Sequence, residues 1–358
     1  MKLTIDCRML GSGGIGSYLA ALLPFFVKEF ETALLGEPAQ IKKYLAQGQD
    51  SASAPEYKII DCPIKTFSLK ELVFFPKKLL KLINSGDAYY TPYCNIPGGI
   101  KVPVYSTIHD VVFLDVPGLT GFTGTFVRKC FYQHAINKSR KVFTVSNFSR
   151  DRIQFHLKVK TDQLVTTYNA LPHWFYQDVN IFIQKENYIL FVGNIKKHKG
   201  LKTLLDAYKI ILAYGIDTKL MIVGNSENFR SGDEEIWKQI NSCPKDSVIF
   251  TGRITDDQLK ETYAKARVLV QPSLYEGFGM PPLEALNLDT DVVLSDIPVF
   301  KEIYKDFPVT FFKCQDPDDL AQKLIKNWDT YGHQTIKVPD IYSFEKTFNI
   351  IKEELLRL

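Results

Sequence analysis

Short apolar runs alternate with longer amphipathic stretches along the whole chain. In the first half the apolar runs lie in KLTIDCRML, TALLG, AYYTP, VPVYSTIHD and KVFTVS, and helix-like segments such as PKKLLKLINSG separate them. In the second half they lie in YILFVG, KLMIVG, SVIFTG, RVLVQPS and DVVLSD. Short strands separated by helices are typical of β-α-β units, whose strands form parallel sheets. The pattern therefore predicts an α/β protein with two such sets.

The two sets predict two domains, since 358 residues exceed what most single cores support. Between them, residues 168–187 are rich in turn formers and aromatics and lack periodicity, which is typical of a linker. We predict an N-terminal domain at 1–172 and a C-terminal domain at 173–340. A final helix at 341–358 is expected to pack back on the N-terminal domain. Its large apolar residues share one helical face: Phe344, Phe348, Ile351 and Leu355.

Composition changes this picture mainly through charge. A hydrophobic fraction of 45% and a charged fraction of 23% exclude long disordered tracts. Residues 1–172 carry 21 Lys and Arg against 13 acids, whereas the remainder carries 23 against 27. The basic first half is compatible with an anionic partner, such as a phospholipid surface, a nucleic acid or a phosphorylated acceptor, and equally with a solvated surface.

The six cysteines occur singly, without C-x-x-C or metal-ligand spacing relative to the six histidines. We therefore expect reduced thiols, a cytoplasmic protein and no bound metal. The longest apolar run, YLAALLPFFV from Tyr18, is too short for a membrane span. Any membrane contact is expected to be peripheral, at the inner face of the cell membrane.

A glycine loop, GSGGIG at residues 11–16, follows the first predicted strand and precedes a helical run starting near Ser17. Such loops let backbone amides approach a phosphate at a helix N-terminus. Glu37, after the second strand, stands where a nicotinamide-binding domain places its ribose-binding acid. Asp6 and Arg8, which are polar residues in the first strand, argue against that domain. A phosphate loop, a dehydrogenase loop and a plain turn all remain open on the residues alone.

A second strand-loop-helix segment, FVGNIKKHKG at 191–200, places Lys196, Lys197, His198 and Lys199 just before Gly200 and the helical stretch LKTLLDAYKI. Cations and unpaired amides at a helix start suit a diphosphate. A solvated basic turn is the alternative.

The stretch EGFGMPPLE at 276–284 contains two carboxylates around a glycine, an aromatic and two prolines. Pro281 and Pro282 favour the first turn of a helix, which places Glu276 in the loop and Glu284 inside the helix. The amides of 277–280 then lie at the positive end of the helix dipole. The carboxylates can accept hydrogen bonds from two separated points of one ligand, or they are a capping acid and a solvated helix residue. A glycosidase acid pair is a rival, but it has no use for two phosphate-type loops.

These motifs together resemble the retaining glycosyltransferases of family 4. The resemblance rests on GGIGSY, TIHD at 107–110, VSNFSRDRI at 145–153, VGNIKKHKG, FTGRITDDQL at 250–259 and, most specifically, PSLYEGFGMPPLEAL. It covers nearly the whole chain and implies the GT-B architecture, two Rossmann-like domains with parallel sheets facing across a cleft. Asn194 stands where many members have arginine, and LNLDTDVVLSD stands where a glycine-proline turn is usual.

The resemblance implies site residues by position. Lys199, with Asn194 and the Gly14 to Gly16 backbone, is expected on the donor diphosphate. Glu276 is expected on the transferred sugar, Glu284 on the ribose and His109 on the sugar from the first domain. The implied catalytic residues are His109, Glu276 and Lys199. The implied donor-binding residues are Gly14, Gly16, Asn194, Lys199, Arg253, Ile254, Glu276, Phe278, Gly279, Met280 and Glu284.

The implied reaction is retaining transfer of a hexose-type sugar from a nucleoside-diphosphate sugar to a glycan or lipid-linked acceptor in polysaccharide or glycolipid biosynthesis. Neither a metal nor another cofactor is expected, because DPDDL at 316–320 is typical of a helix start and lysines face the diphosphate. No nucleic acid partner is expected. The segment LKELVFFPKKLLKLI either contacts an anionic membrane or is an ordinary helix broken at Pro76. An NAD(P)-dependent dehydrogenase and a non-catalytic sugar-binding protein on the same fold remain the alternatives.

Overall fold

The computed structural model describes residues 1–46, 56–175, 184–224, 234–331 and 338–357, except for the side chains of Leu69 and Glu234. The chain divides into two compact units. Unit 1 is Met1–Pro172 with Pro339–Leu358, and unit 2 is His173–Val338. Part of the predicted linker, residues 176–183, lies outside the described residues.

Unit 1 contains a seven-stranded parallel sheet in the order β3-β2-β1-β4-β5-β6-β7. Its strands are β1 Lys2–Asp6, β2 Glu31–Gly36, β3 Tyr57–Asp61, β4 Ala88–Thr91, β5 Val104–Thr107, β6 Ser139–Thr144 and β7 Leu164–Thr166. Its helices are α1 Gly13–Glu29, α2 Pro38–Ala46, α3 Leu69–Val73, α4 Lys77–Ile83, α5 Val112–Asp115, α6 Phe122–Lys138, α7 Asn147–His156 and, from the end of the chain, α14 Phe344–Leu356. The predicted parallel sheet is confirmed.

Two strands of this sheet, β3 and β7, were not predicted. Both lie at edges of the sheet, and no residue of β3 is fully buried. An edge strand needs fewer apolar residues than a central one such as β4, which is buried throughout. Helix α1 also begins earlier than predicted, at Gly13, so the last glycines of the loop belong to its first turn.

The C-terminal helix α14 packs within unit 1. Its Phe348 ring stacks against Phe25 and meets the edge of Phe26, with ring centroids 5.5 and 5.2 Å apart. The Thr347 hydroxyl donates to the Thr167 carbonyl at 2.9 Å. The whole apolar face of α14 is buried, which explains why its residues repeat at helical spacing.

Unit 2 contains a six-stranded parallel sheet in the order β10-β9-β8-β11-β12-β13. Its strands are β8 Tyr188–Val192, β9 Lys219–Val223, β10 Val248–Gly252, β11 Val268–Gln271, β12 Asp291–Ser295 and β13 Thr310–Phe312. Its helices are α8 Leu201–Ala213, α9 Glu234–Asn241, α10 Asp256–Lys265, α11 Met280–Asn287, α12 Pro298–Tyr304 and α13 Pro317–Asn327. The short edge strand β13 was not predicted. The DPDDL helix start is confirmed, because Asp316 caps α13 by accepting from the Asp319 amide at 3.1 Å.

Both sheets reverse their strand order beside the first strand of the unit, between β1 and β4 and between β8 and β11. The loops that follow such strands leave in opposite directions, and ligands of open α/β sheets bind in the crevice between them. The segments after these four strands are therefore where functional residues are expected. None of the helices in the described residues combines the length and apolar character needed to cross a membrane.

Candidate functional site

We call the position where the strand order of a sheet reverses its switch point. The switch point of unit 2, between β8 and β11, contains a close ion pair. Lys199, after β8, places its Nζ 2.7 Å from both carboxylate oxygens of Glu276, which follows β11. The Glu276 side chain is 9% exposed and the Lys199 side chain 20%. The two residues that the sequence separates by 77 positions thus form one partly accessible site.

The backbone brings the two loops together through Gly200. Residues Lys197–Lys199 form one turn of 3₁₀ helix, and Gly200 follows with a φ of 71° before α8 begins. A Cβ at Gly200 would lie 1.9 Å from the Pro272 carbonyl oxygen. The Leu274 amide also donates to the His198 carbonyl at 2.8 Å. Glycine is therefore required for the close approach that aims Lys199 at Glu276.

The two oxygens of Glu276 differ in their surroundings. Oε1 accepts from Lys199 at 2.7 Å, from the Ser273 hydroxyl at 2.7 Å and from Gln271 Nε2 at 3.4 Å. Oε2 accepts from Lys199 at 2.7 Å, the one donor it has among the described residues. Since a carboxylate oxygen accepts about two hydrogen bonds, Oε2 retains capacity for a ligand hydroxyl.

Burial raises the pKa of Glu276, but the Lys199 ammonium and the hydrogen bonds from Lys199 and Ser273 outweigh it and leave the pKa below its usual value. The carboxylate is therefore ionised at neutral pH. Its charge is balanced by the ammonium of Lys199.

Ser273 and Gln271 were missed by the sequence predictions. Gln271 is the last residue of an otherwise apolar strand, β11, and both residues are fully buried. A polar residue at the carboxyl end of a buried parallel strand is a usable signal, because ligands bind at that edge. Their hydrogen bonds to Glu276 depend on the loop geometry and could not be predicted.

The other polar residues of the β8 loop lie in different settings. Asn194, Lys196 and Lys197 are exposed. His198 is buried, and burial together with the charge of Lys199 lowers its pKa to about 4. His198 is therefore a neutral residue of the loop interior, and Lys199 is the cation of this turn that the fold directs at Glu276.

Helix α11 begins as predicted, with Met280 followed by Pro281 and Pro282 in its first turn. The two prolines have no N–H, so the first three helical positions present only the Met280 amide. Gly279 precedes it with a φ of 89°, and a Cβ there would lie 2.4 Å from the Phe300 ring. The hydroxyl of Tyr304 donates to the Gly279 carbonyl and fixes this turn. Phe278 is buried beside it.

Glu284 lies inside α11, half-buried, and accepts from the Tyr263 hydroxyl at 2.6 Å. Burial raises its pKa to about 7, although the Tyr263 hydrogen bond opposes the shift. The predicted donor-binding residues Arg253 and Ile254 lie between β10 and α10, where Arg253 is exposed. In the described residues no hydrogen bond joins Glu284 to the Lys199 and Glu276 pair.

In unit 1, His109 follows β5, and its Nε2 lies 3.0 Å from the Pro92 carbonyl oxygen beyond the end of β4. Because that oxygen can only accept, the proton is on Nε2 and Nδ1 is an acceptor. Burial lowers the pKa of His109 to about 4. The Tyr18 ring of α1 meets the His109 ring edge-on, with centroids 4.9 Å apart. His109 is thus a neutral acceptor rather than a strong base at neutral pH.

Two glycines of the loop after β1, Gly16 and Gly14, lie in different surroundings. Gly16 donates its amide to the Ser12 carbonyl at 3.2 Å, and a Cβ on it would lie 2.4 Å from the Met9 carbonyl oxygen. Gly16 is therefore needed for close packing and its N–H is occupied. A Cβ on Gly14 would meet no atom within 4 Å, and the Gly14 amide lies in the first turn of α1, before the intrahelical hydrogen bonds begin. Gly14 leaves open space at a helix N-terminus.

The arrangement in unit 2 can bind an anion through Lys199 and a hydroxyl through Glu276 at adjacent positions. No group of three or more His, Cys, Asp or Glu side chains suited to a metal occurs within the part of the chain that the structure describes.

Known proteins are similar to this chain mainly in its second unit. The family model "Glycosyl transferases group 1" matches residues 173–331. The O-antigen chain mannosyltransferase RfbU of Salmonella typhimurium is 29% identical over 244 residues, which are 66% of this chain and 62% of that protein. The O-antigen chain mannosyltransferase B of Escherichia coli is 25% identical over 244 residues, 65% of this chain and 62% of that protein. The match thus spans less than two thirds of the length of these curated relatives.

Among solved structures, Anabaena Alr3699/HepE in complex with UDP and glucose superposes with a TM-score of 0.76 at 16% identity, and the match covers 100% of both chains. At that identity the likeness concerns the fold. The match to the glycosyl transferases group 1 model therefore covers most of unit 2, and the two parallel-sheet units have the GT-B fold.

Proposed function

We propose that this protein is a retaining glycosyltransferase of family 4 that moves a hexose-type sugar from a nucleoside-diphosphate sugar to a glycan or lipid-linked acceptor in polysaccharide or glycolipid biosynthesis. The observation that carries the proposal is the Lys199–Glu276 pair at the switch point of unit 2. The names of the relatives, O-antigen chain mannosyltransferases, and the UDP and glucose in the Anabaena structure support the same class of donor and product.

Donor binding rearranges the ion pair. A diphosphate beside Glu276 would be repelled by its carboxylate, so Lys199 serves both anions and lies between them. Oε2 of Glu276, which has spare acceptor capacity, takes a hydroxyl of the sugar. Ser273 and Gln271 keep Oε1 in place while Lys199 is shared. Glu284 accepts from the ribose hydroxyls, and the residues Arg253 and Ile254 lie near the base.

During transfer, the bond between the anomeric carbon and the diphosphate oxygen breaks, and negative charge builds on the leaving phosphate. Lys199 and the Met280 amide stabilise that charge, and one such preorganised donor contributes about 3 kcal/mol. The acceptor hydroxyl forms the new bond on the same face of the sugar and gives its proton to the departing phosphate. His109 accepts a sugar hydroxyl at Nδ1. The reaction needs no metal in this proposal.

A panel of nucleotide sugars tests the proposal. Thermal stabilisation by UDP-glucose, GDP-mannose and related donors, but not by NAD or NADP, is expected, followed by slow release of nucleoside diphosphate from the stabilising donor. The anomeric configuration of the product, read by NMR, should match that of the donor. Stabilisation by NAD or NADP alone would support a dehydrogenase instead, and binding of a nucleotide sugar without turnover in the presence of glycan acceptors would indicate a non-catalytic protein.

A further inference from the structure

Among the residues that the structure describes, the segment between β3 and β4 of unit 1 is one of two that expose several large apolar side chains; the other lies on α6. Between β3 and β4, Phe67 is 58% exposed, Val73 is 69% exposed and Phe74 is 74% exposed. We call this segment, residues 65–81, the α3 segment. It contains α3 and the start of α4, which are separated at Pro76, the break expected when the segment was interpreted as an ordinary helix. Single exposed apolar residues are common, but three within eight positions form a feature that needs an explanation.

A buried polar network fixes the α3 segment. Glu71, on α3, is fully buried and accepts from Arg8 Nη2 at 2.7 Å. The Tyr93 hydroxyl and the Asn95 amide also donate to the Glu71 carboxylate. Arg8 follows β1, and Tyr93 and Asn95 follow β4, so Glu71 attaches the α3 segment to the ends of two central strands of the sheet. Val73, the last residue of α3, and Phe74, which follows it, are thus held outward by a rigid support rather than by a loose loop.

The backbone of Phe67 is also strained. Its φ is 56°, a left-handed conformation that costs a bulky residue energy unless the surroundings impose it. Its ring meets the Tyr93 ring edge-on, with centroids 5.2 Å apart. Ser68 caps α3 directly afterwards by accepting from the Glu71 amide at 3.3 Å. The same network that buries Glu71 therefore also fixes the position of Phe67.

The exposed charge of the α3 segment has one sign. Its one carboxylate, Glu71, is buried under Arg8. Its lysines are all exposed, and none forms an ion pair with the described residues: Lys65, Lys70, Lys77, Lys78 and Lys81. An apolar tip surrounded by cations is complementary to an anionic surface with an apolar interior.

We propose that the α3 segment binds peripherally to an anionic phospholipid bilayer, with Val73 and Phe74 entering the headgroup boundary and the lysines binding lipid phosphates. A folded protein partner fits less well, because a stable protein interface buries about 800 Å² on each side and these side chains project from a short helix. Helix α3 lies at the carboxyl edge of the unit 1 sheet, because Glu71 contacts Arg8 and Tyr93 after β1 and β4. His109, after β5, lies at the same edge. The inference concerns a surface of unit 1 and does not require the proposed reaction.

Vesicle sedimentation with the full chain tests this inference. The protein is mixed with vesicles of phosphatidylglycerol and phosphatidylcholine in equal parts, or of phosphatidylcholine alone, at low and high salt. Binding is expected only to the anionic vesicles and is expected to weaken with salt. The Val73→Ser, Phe74→Ser double variant should reduce the partition coefficient about tenfold or more. Replacing Lys65, Lys70 and Lys77 by Gln should reduce it roughly a hundredfold.

Matched controls separate specific contact from general charge. Tyr214, in unit 2, is 69% exposed, and Tyr214→Ser should leave binding unchanged. Replacing Lys138, Lys158 and Lys160 by Gln makes the same change of charge at the opposite edge of the unit 1 sheet, just before β6 and β7. Equal losses in the two lysine triples, or no binding of the natural chain to anionic vesicles at low salt, would overturn the inference. Nucleotide-sugar stabilisation of the same variants reports on the donor site separately, so failure of one proposal is distinguishable from failure of the other.

Discussion

The switch points of the two sheets carry the same types of charged residue in different settings. In unit 1, Arg8 joins Asp6 and Glu71 with its side chain 3% exposed and both carboxylates fully buried. In unit 2, Lys199 joins Glu276 with 20% and 9% exposed. The same reversal of strand order thus accompanies a fully buried ion network in unit 1 and a partly exposed ion pair in unit 2.

The difference follows from the chemistry of the cations and from their partners. The planar guanidinium of Arg8 donates to two carboxylates at once, and Tyr89, Tyr93 and Asn95 bind the remaining lone pairs. Lysine offers a single flexible ammonium that exchanges partners readily. We infer that the unit 1 network stabilises structure, whereas the unit 2 pair binds a charged ligand. In the proposed function, the neutral His109 and the open Gly14 are the residues through which unit 1 would contact a substrate.

The largest expected effect is on stability, from Glu71→Ala. Removing this carboxylate leaves Arg8 with a single anionic partner and leaves the Tyr93 and Asn95 donors unpaired in a buried site. Breaking a buried ion pair in this way costs about 3–5 kcal/mol of unfolding free energy. Urea denaturation measures it. A loss below about 1 kcal/mol would show that the network is not structural, and the comparison between the two switch points would fail.

In unit 2, Lys199→Ala should affect activity rather than stability. It should reduce turnover by a hundredfold or more, which corresponds to about 3 kcal/mol of transition-state stabilisation. The melting temperature should change much less than in Glu71→Ala, because Lys199 is partly exposed. Donor turnover under saturating conditions measures the effect, and Lys197→Ala, which removes an exposed lysine of the same turn, is the control. Equal loss in both variants would assign the effect to the general charge of the loop.

The sequence predicted the parts of the site that depend on periodicity and on special residues. Two prolines predicted the start of α11, and the basic loop that ends at Gly200 was predicted to precede α8. That only glycine fits at position 200 became clear from the structure. Apolar periodicity predicted the central strands, whose burial requires continuous apolar runs. The edge strands β3, β7 and β13 were missed because they bury few side chains.

The contacts between distant side chains could not be predicted. The family resemblance implied that Lys199 binds a diphosphate and that Glu276 binds a sugar, and both roles stay predictions. The direct ion pair between the two residues was not predicted. Tyr263, the partner of Glu284, gives no signal because a buried tyrosine in a helix is ordinary core. The residues of EGFGMPPLE were placed correctly on loop and helix. The hydrogen-bond partners of Glu276, however, come from the end of β11, from the loop after it and from the β8 loop, at distances that spacing does not encode.

A smaller effect is expected from pH, through Glu284. Ribose hydroxyls donate to its ionised form, so affinity for the donor should be constant above the pKa of about 7 and fall up to tenfold per pH unit below it. A nucleotide sugar is the right probe, because its substituted diphosphate does not titrate in this range. Calorimetric titration from pH 5.5 to 8.5 measures the affinity, and Glu284→Gln should make the profile flat. An unchanged slope in that variant would exclude Glu284 as the titrating group.

In the absence of ligand, Glu284 should also make the unfolding free energy depend on pH. This free energy should fall as the pH rises, whereas the affinity for the donor should rise. Its folded pKa of about 7 exceeds the ordinary value of 4.5, so the folded chain binds more protons than the unfolded chain between these values. Its contribution to the unfolding free energy is therefore present below pH 4.5 and is lost as the pH rises through 7. Compared with the natural chain, Glu284→Gln should remove this fall, which urea denaturation across the same pH range would measure.

The smallest expected effect concerns the hydrogen bond that Ser273 donates to Glu276 in the partly exposed ion pair of unit 2. Ser273→Ala removes one donor to Oε1 of Glu276 but leaves Lys199 and Gln271, so the expected loss is about 1 kcal/mol, or fivefold in turnover. Because the Ser273 hydrogen bond lowers the pKa of Glu276, its loss should move the acidic limb of the pH-rate profile to higher pH. Ser273→Thr, which keeps the hydroxyl, should restore the limb. A uniform fall in rate with an unmoved limb would mean that Ser273 supports only the packing of the loop, and that Lys199 alone sets the charge of Glu276.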